Sequence, residues 1–270
     1  MSLKQAIKNI TPASLRKPAY EVLKASRQIY YRSIIPAQNK LYCPCCDKRF
    51  RAFNGWDYLE ISNSFNSSRY ENIDQNVLCP ICRALPRHRI LALWCDKHKE
   101  LLKNAKILYF APETSMMLWM KRNDITCTTA DITANADLKL DIQNTKLSNS
   151  SYDVVIANHV LEHVDDYKAA LLEVKRILSL GGIFICSFPM DPHIDLVDEE
   201  DGELDPETRI KRFGQHDHKR VFGMRAEELL KDAGYDVEII DGNQYPNEIL
   251  PVIGPADYDM NRLFCCRKEE

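Results

Sequence analysis

The chain has 270 residues, 45% hydrophobic and 28% charged, with 36 Lys and Arg against 39 Asp and Glu. These values suit a water-soluble globular protein with one large domain and something smaller. No uncharged apolar run approaches the roughly 18–20 residues that a membrane-spanning helix needs.

Residues 1–40 hold eight Lys or Arg and one acid, so the rest of the chain carries the compensating negative charge. Pro12, Pro18 and Pro36 cut this basic arm into short helical pieces, one with an apolar stripe of Ile29, Tyr30 and Ile34. A helical arm packed on the body is expected. The sharper alternative is a surface that touches a membrane or a polyanion through Lys4, Lys8, Arg16, Lys17, Lys24, Arg27 and Arg32. The N-terminus lacks an apolar core ending in a small-residue cleavage site, so a secretory leader is not expected.

Residues 41–88 surround two cysteine knuckles, CPCC (43–46) and CPIC (79–82). Each CxxC turn points two thiolates at one centre, and two such turns complete a tetrahedral sulfur shell for zinc. Cys43, Cys46, Cys79 and Cys82 are therefore the expected ligands of a structural Zn²⁺ in a small zinc-ribbon-like domain, with Cys45 as a substitute for Cys46. The other cysteines include singles inside apolar runs, Cys127, Cys186 and Cys265, a usage that suits a reducing cytoplasmic compartment. The RALPRHR segment that follows, with Arg83, Arg87, His88 and Arg89, faces an anion or simply starts a solvated helix.

From residue 89 to 270 the pattern alternates between helix and strand. A helix is predicted over Arg89–Lys103, then the strand KILYF (106–110), a helix around Met116–Lys121, and the strands ITCTTA (125–130), ADLKLDI (136–142) and YDVVIA (152–157). Ala170, Leu171, Val174, Ile177 and Leu178 recur at helical spacing, with Asp165 or Asp166 as cap and Gly181-Gly182 as stop. IFICSF (183–188), a helix over Ala226–Ala233, YDVEII (235–240) and NRLFCC (261–266) complete the series. Strands buried on both sides and alternating with helices predict an α/β, doubly wound and mainly parallel sheet, in which ligands bind at the carboxyl ends of the strands.

The block SYDVVIANHVLEHVDDYKAALLEVKRILSLGGIFICSF (151–188), through HVLEHV (159–164) and RILSLGG (176–182), resembles the class I S-adenosylmethionine-dependent methyltransferases. The resemblance covers about residues 104–240 and implies a seven-stranded Rossmann-like sheet with S-adenosylmethionine as methyl donor. Cysteine knuckles ahead of such a domain are also similar to zinc-containing bacterial methyltransferases, some acting on ribosomal RNA guanine and others on surface polysaccharides.

That resemblance implies Asp131 for the cofactor's ribose hydroxyls, Asp141 with Ile142 for its adenine, and Asn158 near its methionine part or the transferred methyl. The family's glycine-rich turn after the first strand is missing: the chain reads ILYFAPETSM. Ala111, Glu113 and Ser115 stand there instead: either the loop takes a different path, with Glu113 near the cofactor's cationic amino end, or cofactor binding is weakened or lost. HVLEH also fits H-x-x-E-H, a metallopeptidase pattern with His159 and His163 one helical turn apart. The methyltransferase resemblance accounts for the same residues, with Glu162 and His163 at the floor of the site.

Residues 191–207 contain nine acids and no Lys or Arg, an acidic lip that would repel phosphate backbones. RFGQHDHKR follows. A hydroxyl acceptor needs a base, for which His218 with Asp217 or His216 is the candidate, while Arg212 and Arg220 suit an anionic group on the acceptor. The expected function is O-methylation of a sugar or glycan in polysaccharide biosynthesis. Methylation of an RNA base, with the knuckles gripping the nucleic acid, is the second reading. A non-enzymatic zinc-containing scaffold is the third.

Overall fold

The computed structural model describes residues 41–54, 77–133, 135–249 and 262–269, together with the isolated helical positions 18, 22, 25, 26 and 29. The basic arm, and with it the expected membrane or polyanion contact, otherwise lies outside the described residues. Among the described residues no helix is long and apolar enough to cross a membrane.

A hairpin of β1 (Leu41–Cys43) and β2 (Lys48–Phe50) carries the first knuckle. Helix α1 (Pro86–Lys97) leaves the second knuckle, and α2 (Lys99–Asn104) follows after a break at His98, where a single helix was expected. Proline at the start of α1 costs nothing, because the first helical N–H groups have no intrahelical partner. The His88 ring Nδ1 accepts the Leu85 N–H at 3.1 Å and caps the same end.

The body alternates β3 (Ile107–Phe110), α3 (Thr114–Arg122), β4 (Thr128–Asp131), β5 (Leu138–Lys139), β6 (Tyr152–Asn158), α4 (Tyr167–Ile177) and β7 (Leu178–Ser187). An insert of β8 (Val197–Glu199), α5 (Pro206–Phe213) and β9 (Arg220–Phe222) precedes α6 (Glu227–Asp232), β10 (Tyr235–Asp241) and β11 (Arg262–Lys268). The seven strands lie in the order β10-β11-β7-β6-β3-β4-β5, and only β11 runs antiparallel to its neighbours. This is the predicted doubly wound, mainly parallel sheet with flanking helices, a Rossmann-like methyltransferase fold.

Asp166 caps α4 by accepting from the N–H groups of Lys168 and Ala169 at 2.9 and 3.0 Å. The Gly181-Gly182 pair does not stop this helix. It ends at Ile177, and the pair lies inside β7, which pairs with β6 through an irregularity next to Tyr152. At Gly182 a Cβ would stand 2.8 Å from the Ser179 carbonyl oxygen, so the strand bends where no side chain fits.

One apolar core covers one face of the sheet and runs from Cys43, Phe50 and Phe53 through Ile90, Leu91 and Trp94 to Trp119 and Ile156. The cysteine hairpin thus packs into the same core as the strands. The other face buries Val155, Leu171, Val174, Phe184, Phe222 and Phe264.

Candidate active site

A cleft of about 430 Å³ opens at the carboxyl ends of β3, β4, β5 and β6. It is placed where a parallel sheet presents loops and unpaired backbone groups to a ligand. Phe110, Ile132, Leu140, Ile142, Val160 and Val164 give it apolar walls, and Asp131, Asp141, Asp165 and Asp217 supply carboxylates.

Ala111, Asp131, Asp141 and Ile142 all line this cleft. Asp131 ends β4, and its Oδ1 accepts from the Thr133 N–H and hydroxyl, both at 2.7 Å. Asp141 is held by Gln143, whose backbone N–H donates to Oδ1 at 2.8 Å. Asn158, at the end of β6, is not among the cleft-lining residues and is 3% exposed; its Oδ1 accepts from the Ser187 hydroxyl at 3.0 Å, while its Nδ2 has no hydrogen-bond partner among the described residues. A buried amide donor with nothing to meet is a place for an acceptor atom of a bound molecule.

Glu113 does not line the cleft. It turns into the protein, where its carboxylate accepts from the Tyr109 hydroxyl and stands 3.3 Å from His88 Nε2. Burial works to raise its pKa, but His88 and Tyr109 together hold it below the usual carboxylate range. The glycine-free loop solves its geometry differently: Ala111 itself takes the left-handed conformation, with φ of 46°. Across the cleft His159, the residue after β6, does the same with φ of 51°. Two side-chain-bearing residues held in this region at one cleft are a sign of imposed geometry.

The HVLEH segment is a turn and not a helix, since α4 starts only at Tyr167. The helical spacing of the metallopeptidase pattern therefore does not apply. His159 and His163 line the cleft, and Glu162 is fully buried beneath them.

His163 faces the cleft with its Nδ1 3.3 Å from Asp217 Oδ2. Burial alone would lower the His163 pKa; Asp217 and Glu162 outweigh it and the net direction is upward. His218 is not a cleft residue. It is 5% exposed, sits edge-on against His163 with ring centroids 4.8 Å apart, and its Nδ1 lies 3.0 Å from the Phe213 carbonyl. Burial pushes its pKa down. His216 is exposed, 3.7 Å from Asp217. Of the proposed base group, only Asp217 reaches the cleft, and the cleft imidazole beside it is His163.

Arg220 is not available to hold an acceptor. Its buried guanidinium donates to Glu199 and to the carbonyls of Leu161, Val164 and Asp165. Arg212 is likewise engaged, by Asp198 at 2.6 Å and the Glu199 carbonyl at 2.8 Å. The acidic lip is correspondingly less negative than its sequence suggests, because Asp198, Glu199 and Glu200 pair with Arg212, Arg220 and Arg209. The insert is a folded unit built on these pairs.

Between the two knuckles, Cys43 and Cys82 Sγ lie 3.6 Å apart and Cys46 and Cys79 Sγ 3.8 Å apart, all four thiols within 4.8 Å of one another. A tetrahedron with Zn–S bonds of about 2.3 Å has edges of about 3.8 Å, so these sulfurs fit a zinc ion. Cys45 is outside the group and donates to the His88 carbonyl. Arg89 of the RALPRHR segment is fully buried beside the thiols, bonded to the Val77 and Ala84 carbonyls and stacked over Phe53. It neither faces solvent nor lines the cleft.

Residues 95–186 match the methyltransferase domain family, about a third of the chain. No curated protein matches the sequence. Among solved structures, the chain is similar to the 4+2 cyclase SpnF at 15% identity and a TM-score of 0.49, covering 67% of this chain and 81% of that one. It is similar to YcgJ from Bacillus subtilis at 15% identity and a TM-score of 0.43, covering 68% and 99%. A 1,6-didemethyltoxoflavin-N1-methyltransferase from Burkholderia thailandensis follows at 14% and 0.40, covering 68% and 77%. Likenesses of this size carry no argument about chemistry. The domain match and the strand order described above together support a class I methyltransferase.

Proposed function

We propose that the protein is an S-adenosylmethionine-dependent methyltransferase that O-methylates a hydroxyl of a sugar or glycan acceptor. The observation that carries the first half is the cleft at the strand ends, lined by Asp131, Asp141 and Ile142 within the segment that matches the methyltransferase domain. When bound, the cofactor supplies a sulfonium methyl group for in-line displacement. Asp131 would hold its ribose hydroxyls, Asp141 and Ile142 its adenine, and the Asn158 amide its methionine end.

The hydroxyl reading is supported by the His163–Asp217 pair on the cleft wall. A hydroxyl is a weak nucleophile until its proton is drawn away, and an imidazole oriented by a carboxylate suits that task. Positioning supplies much of the remaining rate. The carboxylates around the cleft disfavour a phosphate backbone there. Titration calorimetry with S-adenosylhomocysteine tests the cofactor half; absence of binding would reject it. Transfer of labelled methyl to glycan but not to RNA tests the other half.

The four cysteines are the proposed structural zinc site, with a closed sulfur shell that leaves no position for chemistry.

A further inference from the structure

We propose that Glu162, His163 and His218 form a second metal centre, a site for a first-row divalent cation at the floor of the cleft. Their ligand atoms lie within 4.8 Å of one another. No helix or short motif brings them together: Glu162 and His163 sit on the turn after β6, and His218 sits on the turn between α5 and β9. The two turns are tied directly. The Lys219 N–H donates to the Glu162 carbonyl at 2.8 Å, and Arg220 Nη1 donates to the Leu161 and Val164 carbonyls, both at 2.6 Å. The buried clamp of Arg220 thus holds the donor set in place.

Both imidazoles are presented as ligands. The His218 Nδ1 faces a backbone carbonyl at 3.0 Å, which requires N–H there and leaves the lone pair on Nε2. The His163 Nδ1 faces the Asp217 carboxylate at 3.3 Å, which fixes the same tautomer. A histidine whose other nitrogen is bound to a carboxylate or carbonyl is the usual outer-shell arrangement of a metal ligand.

Glu162 supplies the independent observation. It is 0% exposed, and neither carboxylate oxygen has a hydrogen-bond partner among the described residues. His159 Nδ1 comes within 3.1 Å of Oε1 without the alignment a hydrogen bond needs. A buried carboxylate left in that condition is costly, and a cation in contact with it removes the cost. Two imidazoles and one carboxylate favour zinc, manganese or iron over magnesium or calcium. His163 lines the cleft, so the ion would keep an open side towards it. Resting on the hydroxyl-methylation reading above, that open side would take the acceptor's oxygen and lower its pKa, the cation then replacing a free His163 base because the His163 Nε2 lone pair is a ligand; the cation site itself stands without that reading.

The test is equilibrium dialysis of the full chain, its cysteine site filled with zinc, against Zn²⁺ and separately against Mn²⁺, with bound metal counted. One ion beyond the cysteine-bound zinc is expected for at least one of the two metals. His218→Asn and Glu162→Gln should weaken it at least tenfold while the thermal melt and cysteine-bound zinc stay unchanged. If neither metal binds beyond the cysteine site, or if both variants bind as the parent does, the site is overturned. Should the buried variants fail to fold, His163→Gln and Asp217→Asn on the cleft wall decide, and full affinity in both rejects the proposal. S-adenosylhomocysteine titrated into the same samples separates the two claims. Binding of that product without extra metal would overturn this site alone, and extra metal without product binding would uphold the site and reject the methyl-transfer reading.

Discussion

His88 Nε2 lies 3.3 Å from Glu113 Oε1, which joins the first turn of α1 to the residue that precedes α3. The other ring nitrogen accepts from the Leu85 N–H and the Ser115 hydroxyl, so the proton is on Nε2, which stands beside the carboxylate without the alignment of a hydrogen bond. One imidazole therefore fastens the segment leaving the second knuckle to the glycine-free loop after β3.

His88→Ala should leave Glu113 buried without that partner and cost about 1–3 kcal/mol of stability. The denaturant midpoint measures this. Affinity for S-adenosylhomocysteine should fall with it, because the loop after β3 loses its anchor; unchanged affinity would separate the loop from the cofactor.

Ala111→Gly should stabilise the chain. Left-handed backbone costs a residue with a Cβ about 1 kcal/mol, and Ala111 holds φ of 46°. Relief of that strain, less the entropy glycine adds to the unfolded chain, predicts a small rise in melting temperature, on the order of 1–3 °C. A fall would mean that the methyl group packs usefully in the cleft.

Metal removal should act locally first. A strong zinc chelator is expected to release one zinc per chain from the cysteine site and to raise hydrogen exchange in residues 41–54 and 77–97 before the sheet opens. The effect should spread to α3, because Arg122 donates to the Pro44 and Cys45 carbonyls at 3.2 and 3.0 Å. Uniform loss of protection across β3, β6 and β7 would contradict a local staple.

Asp131→Ala should weaken S-adenosylhomocysteine binding roughly tenfold to a hundredfold, the worth of a charge-assisted hydrogen bond or two, ~1.5–3 kcal/mol. Its native partners are the local N–H and hydroxyl of Thr133, so the melting temperature should move little. Calorimetry of the variant beside the parent checks both halves.

Acid should weaken the anchor of α4. The Arg176 guanidinium and the Thr145 N–H and hydroxyl hold the Glu173 carboxyl down to about 2. A folded pKa below the unfolded value adds stability that is complete above about pH 4.5 and is lost as pH falls towards 2. The stability difference between the parent and Glu173→Gln should therefore be largest near neutrality and shrink below about pH 4. A difference independent of pH would show that packing, and not charge, is at work.

Much of the architecture is local chemistry and was legible in the residues. VVIA (154–157) and IFICSF are buried on both sides because parallel strands between two helical layers are apolar along their centres, and Asp166 caps α4 because a short carboxylate reaches two free N–H groups. The paired CxxC turns declare a four-sulfur cluster by spacing alone. ADLKLDI shrank to the two-residue edge strand β5, which pairs with β4 only at Ala130–Leu138 and Asp131–Lys139.

What spacing could not declare are contacts between distant segments. The sequence offered Arg212, Arg220 and Glu113 as ligand-facing groups because charged residues in loops usually meet solvent. The tertiary structure spends Arg220 on carbonyls more than fifty residues away, Arg212 on Asp198, and Glu113 on Tyr109 and His88. It likewise sets His218 against Glu162 and His163, a neighbourhood that exists only once the insert has folded back over the turn after β6. Local pattern determined the strands, the helices and the cysteine pairs, since each depends on neighbours a few residues apart. Which charges remained for a ligand was decided by the fold, because a buried donor must take the nearest acceptor that packing brings to it.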